Sequence, residues 1–310
     1  MKIAFLNRYQ NKVNRGAETF VTELSKRLSK NHKVDVISNV NYYKILKEKY
    51  DIIIPINGRE QAFLIRIISW LTGTKMIISG QSGIGFDDRL NLLSFPDCFV
   101  ALTDFALLES KKRNPFVKVV KIPNGVDLEK FDLIKNNDGN KSKQNIILSV
   151  GAFTKDKRHD LTIRAVSILN NIKLIIAGGG GNLKQEIQQM GENLLGTNKF
   201  EIVSVGHDKM PGYYKKVNLF TFPTVPWESF GIVLLEAMAS GLPVVTTDDP
   251  IRREIVGDAG LFIDPTNTDE YAEAIEKALN TNWDEKPRKQ AEKFSWDRIA
   301  EEYEKLFKKL

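Results

Sequence analysis

Short apolar runs alternate with helical stretches along almost the whole chain, and that alternation restricts the fold more than any single residue does. The runs at 3–7, 34–37, 52–54, 76–78, 99–102 and 117–122 are separated by helix-length segments. The first of those segments, 18–28, sets Phe20, Val21, Leu24 and Leu28 on one face. Near-continuous apolar strands joined by helices are the pattern of a parallel sheet covered on both faces. Residues 135–145 offer nothing to a core and read as a linker. The alternation then restarts at 146–150, 174–177, 202–205, 219–222, 243–246 and 261–263. Two doubly wound, Rossmann-like α/β domains facing one another across a cleft are expected, bounded at 1–140 and 141–294. A last helix follows at 295–310, with Ile299, Tyr303, Leu306 and Phe307 on one face. Open sheets of this kind bind ligands at the carboxyl ends of their strands.

With 310 residues there is room for two cores, and 42% hydrophobic with 27% charged residues is ordinary for a globular protein. The formal charge of +6 raises nucleic acid, anionic lipid and phosphorylated ligands as partners. Nucleic acid is set aside, because the lysines are scattered and no recognition helix, zinc spacing or aromatic RNA-binding strand occurs. Cys98 is the single cysteine and lies in an apolar run, so a buried thiol in a reducing cytosol is expected. The first strand is too short for a signal-peptide core, and no apolar run approaches the ~20 residues of a membrane span. Asp87–Asp88 and Asp248–Asp249 are adjacent rather than alternate, so extended backbone would point their carboxylates apart. No Asp-x-Asp pair and no His/Cys cluster is present, and neither a metal nor a cofactor is expected. The glycines at 178–181 invite a dinucleotide reading, but Leu183 and Lys184 stand where its last glycine belongs.

Chemistry concentrates between Trp227 and Pro243. Glu228 and Glu236 have seven residues between them, and 232–239 is apolar apart from Glu236, as in a buried helix. Gly241 suits its C-terminal cap and Pro243 forbids continuation. Glu228 then lies just before the first turn, where unpaired N–H groups and the helix dipole favour an anion. Glu236 sits about 9 Å further along the axis at roughly 1.5 Å per residue. A sugar linked through a diphosphate to a ribose matches that layout, with Glu228 at the sugar, the helix start at the phosphates and Glu236 at the ribose. A core helix with one paired glutamate is the alternative, although buried unpaired glutamates are rare.

This stretch resembles the E-x7-E signature of the retaining glycosyltransferases of family 4, which have the GT-B architecture. The resemblance extends to Arg15-Gly16-Ala17-Glu18, Ile122-Pro123-Asn124-Gly125-Val126-Asp127, and Val150-Gly151 leading to Lys157-Arg158-His159-Asp160. It continues through Arg253-Glu254-Ile255-Val256 and Ala259-Gly260-Leu261-Phe262. It implies an enzyme that moves a sugar from a nucleoside-diphosphate sugar to an acceptor hydroxyl, in glycan, glycolipid or glycoconjugate synthesis. The first domain would carry the acceptor, the second would bind the donor, and the last helix would cross back to the first domain.

The resemblance implies Lys157 and Glu228 as catalytic residues. The donor would be held by Gly16, Ala17, Lys157, His207, Glu228, Ser229, Phe230, Gly231, Ile232 and Glu236. A cation such as Lys157 stabilises the departing diphosphate more in the transition state than in the ground state. Without a protein nucleophile, the leaving phosphate would accept the acceptor's proton on the same face of the sugar. Three positions depart from the family. Arg15 replaces the first of two glycines, Ala152 stands where an arginine usually joins the lysine, and the first domain has Gln81 where a histidine is common. His32 is expected to be inert and His159 structural. Acceptors implied are a sugar, a lipid-linked sugar or a small molecule, and a cytoplasmic monomer or weak dimer is expected. The rival readings are a catalytically weak sugar-nucleotide-binding protein, a nucleotide-sugar epimerase and a glycan phosphorylase.

Residues 61–71 form an unusually apolar helix, with Arg66 as its one charge and Trp70 near its end. Burial against the sheet is favoured for such a run. Lying in the plane of a membrane interface, as a peripheral contact, is the alternative.

Overall fold

The computed structural model describes residues 1–13, 15–83, 85–132 and 144–310. These divide into one unit of Met1–Gly125 with Phe294–Leu310 and a second of Val126–Lys293. Most of the expected linker, and the expected boundary at 140, lie outside the described residues. Val126–Asp132, which the sequence places before that boundary, belongs to the second unit. There Phe131 O and Leu128 O both accept from the Arg288 guanidinium, at 3.0 and 3.3 Å.

In the first unit the order is β1 Lys2–Leu6, α1 Gly16–Leu28, β2 Lys33–Ile37, α2 Tyr42–Glu48, β3 Ile52–Pro55 and α3 Glu60–Thr72. There follow β4 Lys75–Ser79, α4 Phe86–Leu93, β5 Cys98–Ala101, α5 Asp104–Arg113 and β6 Val119–Lys121. The strands pair in the order β2-β1-β3-β4-β5-β6, all parallel. Such a sheet buries both faces, which is why β1, β3 and β5 are apolar at almost every position. Ala4 and Leu6 point to one face, where Ile45 of α2, Ile65 of α3, Leu92 of α4 and Leu107 of α5 pack. Phe5 points to the other, where its ring meets Phe20 of α1 edge-on at 6.4 Å.

The second unit comprises β7 Asn145–Val150, a 3-10 turn Lys155–Lys157, α6 His159–Ser167, β8 Ile172–Ala177, α7 Lys184–Leu195 and β9 Phe200–Val203. It continues with α8 Met210–Tyr214, β10 Leu219–Phe222, α9 Ile232–Ala239, β11 Val244–Thr247 and α10 Pro250–Val256. The last elements of this unit are β12 Gly260–Ile263, α11 Thr268–Asn280 and α12 Lys286–Glu292. Its sheet runs β12-β11-β10-β7-β8-β9, again all parallel. The glycines at 178–181 form the turn from β8 to α7, and a Cβ on Gly178 would sit 1.9 Å from Gly151 O. Only glycine permits that approach of two strand ends.

The chain closes with α13, Trp296–Phe307, which belongs to the first unit. Trp296 and Tyr303 pack on Phe20 of α1 at 6.2 and 6.0 Å between ring centroids. Arg27 also donates to Asp297, at 3.1 Å. Cys98 is a buried thiol, pushed up to about 11 by burial.

Candidate active site

The loop between β10 and α9 carries Glu228, and the 3-10 turn after β7 carries Lys157. Lys157 Nζ donates to Glu228 Oε2 at 2.6 Å, with both side chains about one-fifth exposed. The ammonium also lies 5.5 Å from the centre of the Phe222 ring. The backbone ties the two segments together, because Val225 N donates to Asp156 O at 3.0 Å.

The other side of the loop is held by Arg252, a fully buried guanidinium on α10. Its Nη2 donates to Val225 O at 3.0 Å and Pro226 O at 2.9 Å, and Nη1 donates to Glu228 O at 2.8 Å. Its Nε donates to Asp249 Oδ2 at 2.7 Å, which keeps the buried charge paired. Asp249 Oδ1 caps α10 by accepting from Ile251 N and Arg252 N. A planar fork can bind several carbonyls at once, and a lysine cannot.

α9 starts as the sequence implies, at Ile232. Gly231 before it has φ +89°, and a Cβ there would meet the Phe222 ring at 2.8 Å. Phe230 is 1% exposed, and Ile232 is buried as well. Ser229 is half-buried beside Glu228. The first N–H groups of the helix have no partner within it, which suits an anion. At the far end Gly241, φ +85°, and Leu242 N donating to Ala237 O at 3.0 Å form the glycine cap.

Glu236 is 3% exposed, and both of its oxygens are occupied. His207 Nε2 donates to Oε1 at 2.7 Å and the Tyr214 hydroxyl donates to Oε2 at 2.9 Å. Lys130 Nζ lies 2.9 Å from His207 Nδ1. An ammonium can only donate, so Nδ1 is the acceptor and Nε2 carries the proton that Glu236 receives. Burial, and then the Glu236 carboxylate, pushes the Tyr214 phenol well up, so it remains a donor. Phe131 covers the group, its ring 5.6 Å from His207 and 5.7 Å from Tyr214.

Lys157 and Glu228 are therefore in contact, and so are His207 and Glu236. Gly16 and Ala17 lie in the other unit, as the first two residues of α1 rather than in a loop before it. Arg15 precedes that helix without a capping side-chain bond and donates through Nε and Nη2 to Glu18, at 3.1 Å each. Gln81 is engaged inside its own unit, exchanging amide hydrogen bonds of 2.9 and 3.0 Å with Asn124. His159 is buried between Ser149 and Gly151, and burial holds it down at about 4. His32 lies 3.5 Å from Glu304. The sequence reading missed Tyr214, Lys130, Asp249 and Arg252. Tyr214 had one advance signal, that a glutamate inside an apolar helix must find donors; Asp249 and Arg252 hold the Glu228 loop and had none.

A family model described as "Glycosyl transferases group 1" matches residues 130–295. An uncharacterised glycosyltransferase of Methanocaldococcus jannaschii is 29% identical over 242 residues, covering 70% of this chain and 61% of that protein. The UDP-Gal:α-D-GlcNAc-diphosphoundecaprenol α-1,3-galactosyltransferase of Escherichia coli is 24% identical, covering 79% of this chain and 72% of its own. The chain spans 61%, 44% and 42% of the length of the first curated relatives it matches. In fold it is similar to HepE of Anabaena, crystallised with UDP and glucose, with TM-score 0.84, 17% identity and full coverage of both chains.

Proposed function

This chain belongs to the group 1 glycosyl transferases, and we propose that it moves a hexose from a nucleoside-diphosphate sugar to an acceptor hydroxyl with retention of configuration. Its fold is GT-B, as in HepE. The observation that carries the reading is the 2.6 Å contact of Lys157 with Glu228, just before the start of α9. A cation, a carboxylate and free helix N–H groups then lie together where a sugar diphosphate needs them.

In this reading the donor's diphosphate takes Lys157 from Glu228 and also meets the N–H groups around Gly231 and Ile232. Glu228, released, accepts from the sugar hydroxyls. Glu236 accepts from the ribose hydroxyls, since each of its oxygens has a second lone pair beside the bond it already receives. Gly16 and Ala17, in the other unit, stay donor-binding candidates on the family resemblance alone. The bond from the anomeric carbon to the diphosphate oxygen breaks, and the acceptor oxygen bonds that carbon from the same face. The acceptor's proton goes to the departing phosphate, whose charge Lys157 holds. The reaction so written needs no metal ion.

The acceptor is a sugar, carried on a lipid or free. One relative's acceptor is linked to diphosphoundecaprenol; by that likeness the setting is the cytoplasmic face of a membrane. A weakly catalytic binding protein is the second reading, favoured by Ala152 beside the clamp and by the full engagement of Gln81. Thermal shift with UDP, GDP, ADP and their sugars tests the binding step, since ligand at ~100 times its dissociation constant stabilises by ~2.7 kcal/mol. NMR of the product formed with the donor so identified tests retention. Binding without transfer or hydrolysis selects the second reading, and no binding by any nucleotide sugar defeats both.

A further inference from the structure

Glu236 is held by two donors, and they are anchored differently. Tyr214 is fully buried, whereas the His207 side chain is 30% exposed on the loop between β9 and α8. An imidazole bonded at one nitrogen alone can tilt and turn on its stem. His207 has a second anchor, because Lys130 Nζ donates to its Nδ1 at 2.9 Å.

Lys130 is itself fixed by the backbone around it. Glu129 N and Lys130 N both donate to Asp127 Oδ1, at 3.1 and 3.0 Å, so an aspartate-centred turn presents the lysine. The Arg288 guanidinium of α12 joins that segment to α9. It donates to Leu128 O and Phe131 O on one side and to Ala239 O, at 2.8 Å, on the other. Ala239 ends the helix that carries Glu236. Lysine and carboxylate are thus referenced to one guanidinium, with the imidazole bridging them. Every bond along Lys130, His207 and Glu236 runs in one direction, and the ring cannot turn over without breaking both of its own. The buried carboxylate also gains a compensating cation two hydrogen bonds away.

We propose that Lys130 is a positioning residue for the donor: through the His207 imidazole it fixes the Glu236 carboxylate for the ribose hydroxyls of a nucleoside diphosphate. This role rests on the ribose contact proposed for Glu236. It sets His207 behind the carboxylate, as its support, and Lys130 behind His207. A lysine that met the nucleotide itself would also change affinity, so action through His207 has to be separated from direct contact.

The experiment is a double-mutant cycle, read by calorimetric binding of UDP, GDP and ADP and by donor kinetics. Lys130→Met keeps an unbranched stem beside Phe131 and removes the donor group. It binds the preferred diphosphate about three- to tenfold more weakly, the span of coupling between neighbouring residues. KM for the donor rises with kcat nearly unchanged, as for an interaction shared by ground and transition states. Lys130→Arg, which still donates, recovers most of the affinity. In the His207→Phe background, Lys130→Met costs nothing further. In ligand-free protein in alkaline buffer, the nitrogen resonance of His207 Nδ1 moves in Lys130→Met towards that of an unbonded ring nitrogen. Wild-type affinity in Lys130→Met overturns the proposal, as does an unmoved Nδ1 resonance. A loss that persists in full in His207→Phe also overturns it, by setting Lys130 directly against the ligand. Wild-type protein that binds none of the three diphosphates defeats the donor-binding function itself, a result distinct from each of these.

Discussion

Lys157 Nζ and Glu228 Oε2 lie 2.6 Å apart although 70 residues of chain separate them, and the contact joins a turn after β7 to the loop before α9. The pair keeps each charge compensated until a ligand replaces one partner. Lys157→Ala should lower kcat by roughly 100- to 1,000-fold, the usual effect of removing one group that stabilises developing charge. Glu228→Gln keeps its shape and should lower kcat more than it weakens binding of free nucleoside diphosphate. Steady-state kinetics with calorimetric nucleotide binding check both. Full activity in Lys157→Ala would remove it from the site.

Glu236 is the member of the site with no spare exposure, so its effect should appear in binding. Glu236→Ala should weaken nucleoside diphosphate binding by about 1.5–3 kcal/mol, the range for hydrogen bonds to a charged group. Tyr214→Phe removes one of the two donors and leaves Oε2 free to tilt, so a smaller loss of affinity is expected. Unchanged affinity in both, by calorimetry, would separate Glu236 from the ribose.

How much of this was legible beforehand depends on the range of the interaction. The strands were readable because a parallel sheet demands apolar residues on both faces, and β10 falls at 219–222 as the pattern implies. The bounds of α9 were readable because Gly231 and Gly241 both need positive φ. Arg252 was not. It sits in an Arg-Arg pair on a short helix, and only its fully buried side chain distinguishes it from Arg253, which pairs with Asp248 at the surface. Lys130 and Tyr214 reach the site from 106 and 22 residues away from Glu236, distances over which no periodicity carries information. The expected burial of α3 against the sheet holds for Ala62, Ile65 and Ile68 but leaves Trp70 and Leu71 exposed, since composition reports how apolar a helix is and not how many neighbours it meets.

Arg252 sets the position of the Glu228 backbone without touching the Lys157 ammonium. Arg252→Lys keeps the charge for Asp249 but cannot bond Val225, Pro226 and Glu228 together. It should raise KM for the donor more than it lowers kcat, with a modest loss of stability. Arg252→Ala leaves Asp249 buried without its cation and should cost about 3–5 kcal/mol. Denaturant titration and kinetics on the two variants separate positioning from folding. Equal kinetics for Arg252→Lys and wild type would reduce the residue to a core support.

Activity should survive EDTA, because the proposed clamp consists of Lys157 and helix N–H groups. Assay after chelation and dialysis, with and without added magnesium or manganese, checks this. Complete loss restored by either ion would replace the clamp with a metal.

Asp88, buried on α4, has Asn91 as its hydrogen-bond donor, at 3.3 Å, and burial pushes its carboxyl up to about 8. The folded state then holds a proton that the unfolded chain releases near the ordinary aspartate value. Stability from this group is complete at acid pH and falls as pH rises from about 4 towards about 8, the reverse of a salt-bridged aspartate. The slope from one such proton approaches about 1.4 kcal/mol per pH unit. Asp88→Asn, which is neutral at every pH, should flatten that slope and be more stable than wild type relative to their difference at pH 5 when both are compared at pH 8. Urea titrations at the two pH values measure it. If the stability difference between variant and wild type is the same at pH 5 and pH 8, Asp88 does not hold its proton in the fold.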